Sequence, residues 1–270
     1  MARIRPPAVA DMFYPGHPAI LAREVDDLLA AAEHHETMAG ALPKAVIVPH
    51  AGYVYSGPIA ASAYARLKAG RGLISRVVLL GPVHRVPVRG LALPGADSFR
   101  TPLGTIGLDA EAVGILRKLP QVVESSAAHA MEHSLEVQLP FLQQVLGEFR
   151  LVPLAVGDAS AGEVAEVLDA LWGGTETLIV VSSDLSHYLP YATARRVDGE
   201  TARLILDLAT DIRHDQACGG TPVNGLLLAA RRHGLEPTLL DLRNSGDTAG
   251  DRDRVVGYAA FAFCEVPHVR

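Results

Sequence analysis

The sequence lacks the features that would assign it to several special classes of protein. Its only two cysteines, Cys218 and Cys264, are far apart and form no C-x-x-C pair, which argues for a reducing compartment and against a disulfide scaffold. It has no excess of positive charge: the net charge is -6 and the pI is near 6.0, so a nucleic-acid-binding face is not expected. No apolar run approaches the ~20 residues of a membrane span, and the N-terminus has no apolar stretch typical of a signal peptide. We therefore expect a cytoplasmic protein that binds neither nucleic acid nor membrane.

Apolar residues are abundant, at 49% of the chain. Short Val/Ile/Leu-rich segments alternate with segments of helical period, which is typical of a sheet covered on both faces. There is no repeat or linker, so we predict one α/β domain over residues 1–270, with a largely parallel or mixed central sheet flanked by helices on both faces. The predicted strands are 44–49, 76–81, 149–157, 177–183 and, as an edge partner, 255–266. The predicted helices are 18–35, 58–70, 109–119, 133–147, 160–173 and VNGLLLAARRHG, with 85–107 as a loop or small hairpin.

Histidines follow three of the predicted strands. His50 comes after 44–49, His84 after 76–81, and His187, preceded by Asp184, after 177–183. Ligands of open α/β sheets bind beyond the carboxyl ends of the strands, and the chain direction places all three imidazoles at that end. Each histidine taken alone is explained as well by a loop residue with backbone hydrogen bonds. Three at equivalent positions, one with a nearby carboxylate, favour a site.

The residue types at these positions suit a metal ion. Neutral imidazoles bind iron, copper, zinc and nickel, and a mononuclear site usually takes at least three protein ligands. His50 and His84 are the first candidates, and the third is Asp184, His187 or Cys218. Cys218 lies just ahead of a predicted helix, where a cysteine has a lowered pKa and readily becomes a thiolate. The alternative for Cys218 is a small, buried apolar side chain.

The segment HAMEHSLEVQLP (129–140) carries a second group of polar residues. His133 and Glu136 are three residues apart and so lie on one face of the predicted helix, although the HExxH order of metalloproteases is absent. We expect the N-terminal end of this helix to direct His133 and Glu136 at the site, with Glu132 at the helix cap. The alternative is a solvated helix start. The sequence has neither a phosphate-binding glycine loop nor a G-x-S-x-G elbow.

Several segments, in their order along the chain, resemble the Memo family, whose bacterial members are also called AmmeMemoRadiSam system protein B. They span nearly the whole chain, and several are long enough to make coincidence implausible. The matching segments are MFYPG (12–16), VPHAGYVYSG (48–57), LGPVH (80–84), EHSLEVQLPFL (132–142), SSDLSHY (182–188), CGGTPVNGLL (218–227) and NSGDTAGDRDRVVGYAAFAF (244–263).

The resemblance implies an α/β fold similar to that of the class III extradiol ring-cleavage dioxygenases, which use non-haem iron(II). It also implies His50, His84 and Cys218 as metal ligands, with Asp184 and His187 beside them. Fe(II) is the first expectation for the metal; copper also suits a site with a thiolate, and zinc stays a candidate. The neighbours of the bacterial genes imply a radical-SAM protein and an AMMECR-type protein as partners.

Three functions are open at this point. The first is a metal-dependent oxidoreductase or dioxygenase-like enzyme acting on a small molecule, in which His187, oriented by Asp184, is the acid/base and Tyr53 or Tyr55 lines the pocket. The second is a non-enzymatic protein that binds a peptide or a metal and works with the radical-SAM system. The third makes Cys218 a nucleophile activated by His187. The first is favoured over the second, and the third ranks last.

Overall fold

The computed structural model describes residues 3–35 and 41–265, which form strands and helices in alternation. The strands are β1 (Ile4–Arg5), β2 (Ala45–Val48), β3 (Arg76–Pro82), β4 (Leu91–Leu93), β5 (Ser98–Thr101), β6 (Gly104–Gly107), β7 (Val122–Glu124), β8 (Arg150–Val156), β9 (Thr177–Ser182), β10 (His187–Leu189), β11 (Leu235–Asn244) and β12 (Val255–Glu265). The helices are α1 (Pro18–His35), α2 (Tyr53–Ala65), α3 (Ala110–Leu116), α4 (Ser126–Ala130), α5 (Leu139–Leu146), α6 (Ala161–Ala170), α7 (Tyr191–Leu206) and α8 (Gly220–His233).

The main sheet is mixed, with a parallel centre. Within the described ranges its strands follow the order β10-β12-β2-β9-β3-β8-β4-β7, and β11 pairs with β12. The four strands β2, β9, β3 and β8 run parallel to one another, whereas β12 is antiparallel to β2 and β11. Helices cover both faces, so the predicted α/β class is confirmed.

The central strands are buried on both faces, as their continuous apolar sequences predict. In β9, Leu178 and Val180 pack into the core that also holds residues of α1, α2 and α5. The alternate residues Ile179 and Val181 pack into the opposite core, with residues of α6 and α8. Successive strand residues point to opposite faces, and each fully buried side chain of this size contributes about 1.5–3 kcal/mol. The parallel centre is therefore the rigid base on which the loops at the strand ends rest.

The predicted boundaries of the second helix are wrong. Residues 58–70 were predicted to be helical with Pro58 in the first turn, but α2 runs from Tyr53 to Ala65 and contains Pro58 in its interior. A proline there removes the hydrogen bond to the carbonyl of Val54, four residues earlier. The side chain of Val54 is 62% exposed, so this turn lies at the surface, where water can satisfy the freed carbonyl. The predicted stop at Gly70 is the end of a separate 3-10 turn, Lys68–Gly70.

Other boundaries differ where packing overrides the local pattern. The helix predicted over 133–147 starts as a 3-10 turn at Glu136–Gln138 and continues as α5, so His133 precedes it in a loop. The strand predicted at the edge, β12, is internal, because β2 and β11 pair with opposite sides of it. The edge strand β11 and the helix α7 were not predicted, because both have mixed polar and apolar sequences.

The stretch 85–107 contains the predicted hairpin and one unexpected strand. The hairpin is formed by β5 and β6, and β5 also pairs with β1 near the N-terminus. The unexpected strand, β4, joins the main sheet between β8 and β7. Over the two described ranges, no helix combines the length and the apolar character needed to cross a bilayer.

Candidate metal centre

The loops after the central strands meet at one edge of the sheet. His50 follows β2, Asp184 follows β9 and His84 follows β3, and β9 lies between β2 and β3 as their parallel neighbour. The strand order brings these side chains together, as their positions after the strands predicted. His187 starts β10, which pairs with β12.

Three histidines form a compact group at this edge. The ring centroids of His50 and His84 are 5.2 Å apart, those of His50 and His133 are 5.4 Å apart, and those of His84 and His133 are 4.6 Å apart. One ring nitrogen from each lies within 4.8 Å of those of the other two. His133 was expected only to support the site, but the structure places it beside the two predicted ligands. It reaches them from the loop before the 3-10 turn, a placement that no local pattern reveals.

His50 is held rigidly at the base of the group. Its ring Nδ1 lies 2.8 Å from Ser182 Oγ, and its backbone N–H donates to Asp184 Oδ1 at 2.7 Å. Burial, together with the neighbouring histidines, lowers the pKa of His50 well below its ordinary value. The ring is therefore neutral near pH 7, which is the state that binds a metal.

Glu132 orients the other two histidines. Its carboxylate accepts hydrogen bonds from His84 Nδ1 at 2.9 Å and from the backbone N–H groups of His84, His133 and Ser134 at 2.7, 2.9 and 2.9 Å. Burial by itself raises the pKa of Glu132, but the bonds from His84 and Ser134 outweigh it and lower the pKa to about 2. The ionised carboxylate only accepts, so His84 carries its proton on Nδ1 and presents Nε2. The sequence indicated Glu132 only as a helix cap.

Asp184 and His187 are close in sequence but have different partners. Asp184 Oδ1 binds the backbone of His50, and Oδ2 lies 4.0 Å from His50 Nε2. Burial raises the pKa of Asp184, which the hydrogen bond from His50 opposes. The ring of His187 donates from Nδ1 to the carbonyl oxygen of Leu185 at 2.8 Å. Among the described residues its orientation therefore comes from Leu185, and the predicted role of Asp184 in orienting His187 is corrected.

A cavity opens beside His84, one of the three histidines. Its volume is about 760 Å³, within the usual range for small-molecule sites. His84, His187 and Cys218 contribute to its lining, and Tyr188, Thr193 and Arg196 form part of its wall. His84 and Cys218 are thus accessible to a small molecule from this cavity, whereas His50 is buried behind them.

Cys218 lies next to His50 as a thiol. Its Sγ is 3.3 Å from His50 Nε2 and 3.7 Å from the carbonyl oxygen of Asp184. Burial and the charge of Asp184 raise the pKa of Cys218 to about 12. The prediction that the start of the helix lowers the pKa of Cys218 is therefore wrong. Burial of the sulfur and the nearby Asp184 carboxylate raise this pKa by more than the helix start lowers it. In the part of the chain that is described, the compact group of ligand atoms comprises the three histidines and not Cys218.

The raised pKa of Cys218 predicts slow alkylation. In native, metal-free protein at pH 8, iodoacetamide should label Cys218 at least ~100-fold more slowly than in urea-unfolded protein, because the thiolate is the reactive form. Mass spectrometry of the peptide that contains Cys218 measures both rates. The native rate should still rise above about pH 10, where an ordinary cysteine is almost fully ionised and its rate has reached a plateau. Equal native and unfolded rates at pH 8 would contradict the raised pKa and revive the nucleophile hypothesis.

The two tyrosines that were predicted to line the pocket have different environments. Tyr53 is buried in the core, where its hydroxyl donates to the carbonyl oxygen of Val137 at 2.7 Å and its ring packs against Phe141. Tyr55 is 40% exposed in the first turn of α2. The predicted pocket role is therefore wrong for Tyr53, because its ring faces the core.

Glu136 also has a structural role in place of the predicted supporting one. It is fully buried and binds Arg5, Tyr14 Oη at 2.5 Å and the backbone N–H groups of Ala8 and Val9 at 2.8 and 3.0 Å. The 3-10 turn directs this carboxylate at the N-terminal segment, away from His133.

Comparison with known proteins shows the family of the chain. The family model described as Memo-like protein matches residues 5–262 of the chain. The chain belongs to the Memo family. Among similar Memo family sequences, a MEMO1 family protein of Methanopyrus kandleri is 37% identical over 283 residues, covering 96% of this chain and 98% of that protein. One from Aquifex aeolicus is 36% identical over 273 residues, covering 97% and 99%.

A solved structure supports the fold. The crystal structure of an uncharacterized protein from Escherichia coli K12 matches with a TM-score of 0.51 at 15% identity, covering 82% of this chain and 99% of that one. At this identity the match shows the fold alone. The resemblance to the Memo family seen in the sequence is confirmed, and the three-histidine group is a possible metal site of this Memo family member.

Proposed function

We propose that the protein binds a redox-active metal ion between His50, His84 and His133 and catalyses a dioxygenase-like oxidation of a small molecule. The observation that carries this proposal is the group of three imidazole nitrogens within 4.8 Å of one another. One member of the group, His84, lines a cavity of about 760 Å³, which accommodates a small-molecule substrate.

The residues fit such an ion chemically. Burial lowers the pKa values of His50 and His133, so both rings are neutral near pH 7. The hydrogen bond from His84 Nδ1 to Glu132 leaves Nε2 of that ring free, and a carboxylate behind a metal-binding histidine makes it a stronger ligand. Imidazole donors suit Fe(II), which we propose as the metal; copper and zinc accept the same donors. When bound, Fe(II) supplies one-electron and oxygen chemistry.

His187 is the side chain that we propose to move a proton. Because its Nδ1–H donates to the carbonyl oxygen of Leu185, the neutral ring has its lone pair on Nε2. The ring lines the same cavity as His84 and Cys218. A substrate hydroxyl in that cavity can therefore lose its proton to His187 Nε2. Asp184 supports the site through the backbone of His50.

The metal content of the protein tests this proposal. Protein purified without oxygen should contain near-stoichiometric iron or copper by mass spectrometry, and His50→Ala should lose it, because that ring lies at the buried base of the group. His17→Ala is the matched control, since His17 is exposed at the start of α1, and it should keep the metal. A wild-type protein with no metal, and no uptake of added Fe(II) or Cu(I), would overturn the proposal.

Oxygen consumption separates the two leading functions. A metal-loaded enzyme should consume oxygen with a suitable small molecule, whereas a binding protein should hold the metal, or a peptide, without turnover. The radical-SAM and AMMECR-type partners stay predictions from the sequence resemblance, and co-purification from the native host tests them.

A further inference from the structure

A chain of buried hydrogen bonds runs from α2 to the ring of His50. Tyr64 Oη donates to Gln138 Oε1 at 2.8 Å, and Gln138 Nε2 donates to Ser182 Oγ at 2.9 Å. Ser182 Oγ in turn lies 2.8 Å from His50 Nδ1. All four side chains are at most 1% exposed. The chain links helix α2, the 3-10 turn before α5 and the end of β9 to the loop after β2.

Backbone carbonyls determine the direction of each hydrogen bond in this chain. The carbonyl oxygen of Pro49 lies 2.9 Å from Gln138 Nε2 and only accepts, so the amide group of Gln138 must turn its NH₂ toward Pro49 and Ser182. The hydroxyl of Ser182 has one proton, which it donates to the carbonyl oxygen of Ser134 at 2.7 Å. Ser182 Oγ can therefore only accept from its other two neighbours.

The consequence is that His50 must donate from Nδ1. We infer that Ser182, held by Gln138, is a positioning residue that keeps His50 in its Nδ1–H tautomer and leaves Nε2 as the metal-binding atom. This inference rests on the proposed function for its metal, but the tautomer is a property of the protein alone. His50 Nε2 is the nitrogen that faces Cys218 Sγ, at 3.3 Å.

His50 and His84 are thus positioned by different means. His84 donates to the anionic carboxylate of Glu132, whereas His50 donates to a neutral hydroxyl within a neutral chain. Burial raises the pKa of Tyr64 well above its ordinary value, so the far end of the chain stays uncharged. The Nδ1–H of His50 therefore has a hydroxyl group and not a carboxylate as its acceptor, and the Asp184 carboxylate lies on the Nε2 side of the ring, 4.0 Å away. The tautomer is therefore sensitive to the loss of one hydroxyl group.

Nitrogen NMR of metal-free protein with ¹⁵N-labelled histidine tests the tautomer directly. In the wild type, His50 should show a protonated Nδ1 and an unprotonated Nε2, with the signal assigned by its loss in His50→Gln. In Ser182→Ala the acceptor for Nδ1–H is gone, so the ring should change to the Nε2–H form and donate toward Cys218 Sγ. An Nε2–H tautomer in the wild type, or an unchanged Nδ1–H tautomer in Ser182→Ala, would overturn the inference.

Zinc titration measures the consequence for binding, because zinc is diamagnetic and accepts imidazole ligands. Ser182→Ala should weaken Zn(II) binding ~10–100-fold, the usual effect of losing a group that orients a metal ligand. Ser182→Thr keeps the hydroxyl and should restore the wild-type tautomer and affinity. Ser62→Ala is the matched control, because Ser62 is a buried serine in α2 with only long hydrogen bonds, of 3.3 and 3.4 Å.

A further variant covers the case in which Ser182→Ala does not fold. Gln138→Met removes the donor that holds Ser182 while keeping the chain length, and it should weaken Zn(II) binding more than Ser62→Ala does. Equal affinities of Gln138→Met and the control would count against the positioning role. If wild-type protein has the expected tautomer yet takes up neither Zn(II) nor Fe(II), the proposed function fails while the tautomer assignment stands.

Discussion

Replacing Glu136 with glutamine should lower the free energy of unfolding by about 3–5 kcal/mol, the usual cost of removing one partner from a buried ion pair. Glu136 is fully buried and faces the guanidinium of Arg5, whose side chain is only 5% exposed. Glutamine keeps the size of the side chain but leaves the charge of Arg5 without a counter-charge. Its NH₂ group would also compete with the donors that now point at the carboxylate, among them Tyr14 Oη.

The ion pair also stabilises the loop that carries the metal-site residues. Arg5 donates from Nε to the carbonyl oxygen of His129 at 3.0 Å and from its terminal nitrogen to that of Glu132 at 2.6 Å. The loop that places Glu132 and His133 is therefore fastened to the N-terminal strand. We expect Glu136→Gln to weaken metal binding as well as folding.

Urea unfolding followed by circular dichroism measures the stability change. Glu200→Gln is the matched control, because Glu200 pairs with Arg196 across one turn of α7 with both side chains more than half exposed. Exposed pairs of this kind contribute at most about 0.5 kcal/mol. A loss in Glu136→Gln no larger than that of Glu200→Gln would show that the buried pair does not hold the N-terminal segment.

Replacing His133 with alanine should abolish stoichiometric metal binding and lower the affinity at least ~100-fold, because only two imidazoles would remain. His133 is the member of the group that the family resemblance did not imply as a ligand. Its ring lies 4.6 Å from that of His84, centroid to centroid, and the backbone bond to Glu132 fixes the loop beneath it. Metal analysis and titration of the purified variant measure the loss.

Cys218→Ser is the matched comparison for His133→Ala. Two ligands of one tetrahedral ion, a nitrogen and a sulfur, lie ~3.5 Å apart given the usual bond lengths, and Cys218 Sγ is 3.3 Å from His50 Nε2. Cys218 is thus placed to be a fourth donor, and Cys218→Ser should keep the metal with reduced affinity. Full metal content in His133→Ala together with loss in Cys218→Ser would replace the three-histidine set by His50, His84 and Cys218.

The central strands were predictable because their signal is local. Residues 44–49, 76–81, 149–157 and 177–183 are continuous apolar runs, and each corresponds to a strand of the sheet within one or two residues. The predicted ends of helices and strands were wrong where contacts between residues far apart in sequence determine them. Pro58 looked like a helix start, but the packing of α2 against the core extends the helix toward the N-terminus. The strand β11 has no strong alternation, and it forms because β12 pairs with it.

In the site, the sequence could identify candidate residues but not their partners. His50, His84, Asp184 and His187 were found from their positions after strands, and the sheet brings them to one edge. Glu136 was placed at the site because a regular helix was assumed, but the chain there is a 3-10 turn. The position of Cys218 ahead of a helix predicted a lowered pKa, whereas burial and the charge of Asp184 raise this pKa.

The sequence by itself determined the α/β class, the family and the histidines that follow the strands, because hydrophobic period and motif order are properties of neighbouring residues. Only the tertiary structure decided that His133 joins the group, that Glu132 and Ser182 hold the rings, and that Glu136 binds the N-terminal segment. Those partners are far apart along the chain: Ser182 is 132 residues from His50, and Glu132 is 48 residues from His84. Their contacts exist only after strand order and register have brought the loops together, so no local pattern encodes them.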